Sequence, residues 1–285
     1  MQLKIFKPFW GFKGDHETLV ARALEEGYDG VEGPAPEDDH QRERFAQALK
    51  QSGLSYIAEV CTAGSFVPER RATRQMHLDS LARKLESSIE FSPLFITSLA
   101  GCDAWPEDES IRFFEQAMVL ASDHQIDINF ETHRSRSFFN PWVTARIARA
   151  LPQLRLTADF SHWCVVCERL MDTEIDVIEM LAPQIRHIHA RVGYDQGAQV
   201  PHPAAPEYSA ALKAHQRWWQ MIWQLQKNAG VSVTTMTPEF GPDGYLHELP
   251  FTCAPVADLE EINRWMANTE RKHFSAFLKG NSSAE

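Results

Sequence analysis

The feature that most constrains this 285-residue chain is a regular alternation of two patterns. Short runs rich in β-branched and aromatic residues recur, and each is followed by a longer stretch of helical periodicity. The strand candidates are 3–6, 30–33, 55–60, 94–99, 128–132, 155–160, 186–191 and 233–240. The helical stretches between and after them are 16–27, 38–53, 74–90, 108–124, 141–152, 167–183, 208–228 and 256–278. In the first, Leu19, Val20, Ala23 and Leu24 share one side, and the first two stretches end on Gly27 and Gly53, which suits helix C-caps. Strict alternation calls for a parallel sheet with right-handed crossovers, and eight units is the number that closes a (β/α)8 TIM barrel. A doubly wound open sheet would carry a glycine-rich phosphate loop after its first strand. Here that position reads KPFWGFKGD, with no G-x-G-x-x-G. The expected fold is therefore an α/β, single-domain TIM barrel over 1–279, with a frayed tail at 280–285.

Composition narrows the partners. A net charge of −11 argues against a phosphate-backbone partner, which needs a basic face, while leaving room for a local anion pocket. No apolar run is long enough for a membrane span, and the first residues hold no apolar leader core. Five scattered cysteines form no disulfide framework, so a cytoplasmic protein with reduced thiols is expected. Cys164 and Cys167 form a CxxC, but it opens a helix and has no second pair. Two buried, small apolar side chains are the better reading.

A barrel of this kind places its chemistry at the C-terminal ends of its strands. Four consecutive strand candidates deliver ionisable groups there: Glu131, Asp159, His189 and Glu239. A single acid at a strand end is more often a helix cap or a surface ion pair. Three carboxylates and an imidazole on one rim are harder to account for separately. Packed together they repel, and a divalent cation is the simplest remedy. The oxygen-rich donor set suits Mn²⁺, Mg²⁺ or Co²⁺, with Zn²⁺ also admissible.

The motifs FETH (130–133), DFSH (159–162), HIHAR (187–191) and PEFG (238–241) together resemble the xylose isomerase-like TIM-barrel superfamily. Within it they resemble the sugar-phosphate isomerase and epimerase branch, which includes D-tagatose 3-epimerase and hydroxypyruvate isomerase. The resemblance implies that Glu131, Asp159, His189 and Glu239 are the metal ligands. It further implies that His162 contacts substrate and that Glu131 and Glu239 exchange the substrate proton. Two departures bear on substrate: Ser137 and Asp195 stand where ketose 3-epimerases carry sugar-gripping glutamate and arginine. Strands three and four bring no histidine to the rim, which disfavours a nuclease relative.

The expected function is a divalent-metal-dependent sugar or sugar phosphate isomerase or epimerase, working by proton transfer through a metal-stabilised enediolate. Its substrate would be a sugar, sugar phosphate or hydroxyketone. The alternatives are a dehydratase of a cyclic polyol or dehydroshikimate-like acid, or a non-catalytic metal- or sugar-binding barrel. Further substrate contacts are expected from Arg191, His133, His202 and Trp10, with Arg134 and Arg136 as weaker anion-holding candidates. The loop 193–208 is long enough to be a lid. The Trp-rich stretch, with Trp219 and Trp223 on one face, is expected to cover the barrel wall or a homodimer contact.

Overall fold

The computed structural model describes residues 1–242 and 244–281. Eight parallel strands close into a barrel in chain order, with β1 pairing both β2 and β8. The strands are β1 (Gln2–Pro8), β2 (Gly30–Gly33), β3 (Ser55–Cys61), β4 (Ile96–Leu99), β5 (Ile128–Glu131), β6 (Leu156–Ala158), β7 (Ile185–His189) and β8 (Val233–Thr237). Outside them lie α1 (His16–Glu25), α2 (Asp39–Ser52), α3 (Arg74–Ile89), α4 (Glu107–Asp123), α5 (Pro141–Ala150), α6 (Ser161–Val166), α7 (Ile175–Leu181), α8 (Ser209–Asn228) and α9 (Leu259–Asn281). Side-chain oxygens cap the starts of α1, α2, α3 and α5: Asp15, Asp38, Thr73 and Asn140 each accept a backbone N–H. The tail expected from 280 begins inside α9, and 282–285 lie outside the described residues.

Strand alternation divides the residues into two sets. Val31, Ala58, Ile96, Phe130, Leu156, Ile188 and Met236 join the apolar core shared with the helices. Their neighbours along the strands form the barrel interior, where Phe6, Ile57 and Phe95 sit beside an unusually polar set of Thr, Glu and His in place of the usual layers of Val, Ile and Leu. There the hydroxyls of Thr97 and Thr157 meet at 3.3 Å between β4 and β6, and Glu32 reaches from β2 to His187 on β7.

One expectation about helices is corrected, and a second is narrowed to the barrel-wall role, one of its two alternatives. The helix expected over 167–183 is not one element: α6 lies before it, over Ser161–Val166, and Glu168 takes a left-handed φ of 52° two residues beyond its end, so only Ile175–Leu181 of the stretch is α-helix. A 3-10 turn then leads into α7. Second, Trp218, Trp219 and Trp223 of α8 are fully buried within the chain, with Trp223 edge-on to Phe274 of α9 at 4.9 Å. The exposed aromatic face that motivated a homodimer is therefore not there. Cys164 and Cys167 are both buried, as small apolar side chains would be.

His215 of α8 ties this outer layer to the rim. Its Nδ1–H donates to the Ala211 carbonyl (2.9 Å), leaving Nε2 to accept the Gly193 N–H (3.3 Å). Burial pushes its pKa down to about 4. The unfolded chain takes up this proton below about pH 6.5 and the fold does not, so stability should fall as pH drops from about 6.5 towards 4. The expected loss is about 3 kcal/mol. Urea unfolding at pH 7 and 4.5 checks this: His215→Gln should lose visibly less stability on acidification than the parent. An equal loss would assign the acid sensitivity to other groups.

Candidate metal centre

Glu131 is the last residue of β5 and His189 the last of β7, while Asp159 and Glu239 lie one and two residues beyond β6 and β8. The structure brings these four together: one donor atom from each lies within 4.8 Å of all the others. His189 Nδ1 stands 3.0 Å from Glu239 Oε2 and 3.6 Å from Glu131 Oε1. All four are buried, and Glu131 Oε2 and His189 Nδ1 have no hydrogen-bond partner among the described residues. Buried polar atoms are rarely left so. Donors bound to one cation at about 2.1 Å lie no more than about 4.2 Å apart, so a cluster within 4.8 Å needs only a few tenths of an ångström of side-chain movement to hold one, and its three carboxylates and one imidazole suit a hard divalent ion.

The electrostatics match a cluster short of positive charge. Burial, with Glu239 and Asp159 adding and His189 opposing, pushes Glu131 up to about 7. Burial raises Asp159 too, although Arg191 works against it. For His189 burial disfavours the imidazolium, but Glu239, Glu32 and Glu131 outweigh it and hold its pKa well above the ordinary value. Glu59, on β3, is raised well above the carboxylate range by burial and by Glu239, Glu131 and Glu32.

Above the cluster opens a cavity of about 550 Å³ that Glu59, Glu131, His133, Arg191 and Glu239 help to line. Trp10 and Tyr245 form an aromatic wall, meeting edge to face at 4.8 Å. Gly241 is what admits the indole, because a Cβ there would stand 2.0 Å from a Trp10 ring carbon. Arg191 lies beneath this wall, its guanidinium carbon 4.8 Å from the Tyr245 ring centre. It donates to Asp159, to Ser161 Oγ (3.0 Å) and to His162 Nε2 (2.6 Å). The His162 and His133 rings lie 3.9 Å apart between centres, tilted at 53°, and burial with the nearby arginines holds both neutral.

Other candidates lie elsewhere. His202 is not among the cavity-lining residues; it faces Glu261 of α9 at 3.4 Å. None of 193–208 borders the cavity: Gln199 instead clamps the Gly241 backbone through both its amide atoms. The walls come from the loops after β1, β2, β3 and β8, together with α3. Arg136 is fully buried and spends its guanidinium on the Thr62, Ser65, Phe66 and Gly101 carbonyls, so it holds a loop and no anion. Sequence reasoning missed Glu32, Glu59 and Tyr245. The first two also sit near strand ends, so the rule that found Glu131 would have found them if applied to β2 and β3.

Closed parallel topology makes this a (β/α)8 barrel, with its ionisable residues gathered at the C-terminal rim. Residues 20–199 match the family model of the xylose isomerase-like TIM barrel, and the chain belongs to that family. An L-ribulose 3-epimerase superposes with a TM-score of 0.69 at 12% identity, over 100% of this chain and 98% of its own. The probable 3-DHS dehydratase AsbF of Bacillus anthracis gives 0.58 at 17%, over 86% and 94%. Endonuclease IV of Thermus thermophilus gives 0.60 at 13%, over 97% and 100%. These likenesses are of fold. No curated protein matches the chain in sequence. No helix among the described residues is long and apolar enough to cross a membrane.

Proposed function

We propose that the protein is a divalent-metal-dependent isomerase or epimerase of a sugar, sugar phosphate or small hydroxyketone. The observation that carries this reading is the convergence of Glu131, Asp159, His189 and Glu239 on one point, with the two glutamates also lining the cavity. Those four residues would hold Mn²⁺, Mg²⁺, Co²⁺ or Zn²⁺. Such a cation, when bound, supplies Lewis acidity to a carbonyl whose α-proton is leaving.

The chain's own groups do the rest. One glutamate carboxylate takes the α-proton onto its oxygen, and the other returns a proton. Return to the same carbon from the opposite face is epimerisation; return to the neighbouring carbon, with the α-hydroxyl proton passing to the former carbonyl oxygen, is isomerisation. Arg191 and His133, which line the cavity, orient substrate oxygens, His162 lies outside the lining and holds Arg191 through Nε2, and the Trp10–Tyr245 wall covers a sugar face and excludes water. Cavity volume and net charge favour a small molecule over nucleic acid. Arg83 and Lys84 of α3 also line the cavity, and the Lys84 ammonium donates to the Cys61 carbonyl. They offer positive charge to a phosphate or carboxylate on the far end of a substrate.

Metal analysis and Mn²⁺ titration come first. Saturation with a cation at about a thousand times its Kd should stabilise the fold by about 4 kcal/mol, read as a rise in Tm that chelator reverses. No bindable metal would end this reading. Solvent deuterium entering one carbon of a ketose, from a panel with and without phosphate, should follow; loss of water by mass would select a dehydratase instead.

A further inference from the structure

Beneath the carboxylate cluster lies a second set of ionisable groups that the proposed reaction does not use. Glu32 of β2 is 2% exposed and is faced by three donors. Its Oε1 is 3.2 Å from His189 Nε2, its Oε2 is 3.1 Å from His187 Nε2, and the Thr237 hydroxyl donates to Oε2. The far side of His187 is set by Thr235, whose hydroxyl lies 2.8 Å from Nδ1. Side chains from β7 and β8 thus clasp one carboxylate that β2 sends across the barrel interior.

The hydrogen-bond roles follow from what each group can do. A carboxylate only accepts, so the imidazole nitrogen facing it must carry the proton. His189 therefore presents Nε2–H to Glu32, and its Nδ1 is turned towards Glu131 and Glu239. That Nδ1 is fully buried and is the atom found without a hydrogen-bond partner. His187 and Thr237 fill the other oxygen of Glu32, so the carboxylate cannot rotate away from His189 without leaving two donors unpaired.

We propose that Glu32 is the positioning residue of the metal centre: it holds the Nε2–H of His189 and so aims Nδ1 at the point shared by Glu131, Asp159 and Glu239, where a cation would take the place of the Nδ1 proton. Outer carboxylates that orient a metal-ligating histidine typically carry about 10–100-fold of metal affinity. This rests on the metal-dependent reading above, and adds a residue that touches neither substrate nor the cavity.

The test is Mn²⁺ affinity by titration calorimetry on the full chain, with the visible spectrum of the Co²⁺-loaded protein as a second readout. Glu32→Gln keeps the volume but brings an amide that can present N–H to His189. It should raise the Mn²⁺ Kd about 10–100-fold and alter the Co²⁺ bands, with folding confirmed by circular dichroism. Glu32→Asp, which keeps the charge but withdraws it by one methylene, serves if the first variant does not fold, and should also weaken binding. His187→Gln, on the opposite arm of Glu32, should lower Tm yet leave the Kd within a few-fold. Parent-like Mn²⁺ binding by the Glu32 variants would overturn the proposal, as would an equal loss in His187→Gln, which would point to core packing. A parent protein that binds no Mn²⁺ overturns the metal-dependent reading itself, and this one with it.

Discussion

Glu239→Gln is expected to lower substrate interconversion about 10³-fold at saturating Mn²⁺, because an amide cannot take or return the proton that a positioned carboxylate transfers. Glu239 also stands 3.0 Å from His189 Nδ1, so the variant will bind metal more weakly. Working at saturating metal, with the Kd measured separately, isolates the chemical step. The two glutamates come from β5 and the end of β8, three strands apart around the barrel, and both line the cavity. In a two-base epimerase each would serve one epimer. Glu239→Gln should then still wash solvent deuterium into one epimer through Glu131 while losing exchange from the other. Glu131→Gln should show the mirror result. Undiminished exchange from both epimers in either variant would remove that glutamate from the proton transfer.

Much of this arrangement is legible in the sequence because strand period and barrel closure act together. Once eight units are counted, the alternation along β5 through β8 places Glu131, Thr157 with Asp159, His187 with His189, and Glu239 on the inward face. The strand ends then lie at one rim by topology alone. What stays hidden depends on contacts between distant segments. Gly30–Gly33 is too short for alternation to tell which of its residues points inward, so Glu32 is legible as an acid near a strand end but not as one that crosses the interior to β7. The break after α6 rests on a left-handed Glu168, a residue type that does not advertise that conformation. His202 sits in a loop whose path is set by α9, and the sequence near it contains no hint of Glu261.

Three arginines near strand ends look alike in sequence, and the fold sends each to a different task. Arg191 meets Asp159, Arg134 lies 4.9 Å over the Tyr245 ring, and Arg136 disappears into the wall. The Arg136 case predicts the largest stability effect in the chain. Its Nη1 donates to the Thr62 carbonyl at 2.7 Å and reaches that of Gly101 at 3.3 Å; Nε donates to Phe66 at 3.1 Å, and Nη2 to Ser65. Burial lowers its pKa only to about 10, so it remains charged at neutral pH. Arg136→Met keeps the apolar stem and removes every donor. The Ser65 and Phe66 carbonyls lie in an exposed turn and can turn to water, whereas Thr62 is buried between β3 and β4 and cannot. With about 1–3 kcal/mol for each acceptor left buried and unpaired, the expected loss is about 3–5 kcal/mol by urea unfolding. Arg136→Lys should recover little, since an ammonium cannot match a planar fork aimed at several carbonyls. Because Gly64, Ser65 and Phe66 wall the cavity, the same variant should raise KM more than it lowers kcat, and should open 62–68 to proteolysis. A variant with parent stability and an intact loop, but with weakened binding of phosphorylated ligands alone, would instead return Arg136 to the role of an anion holder.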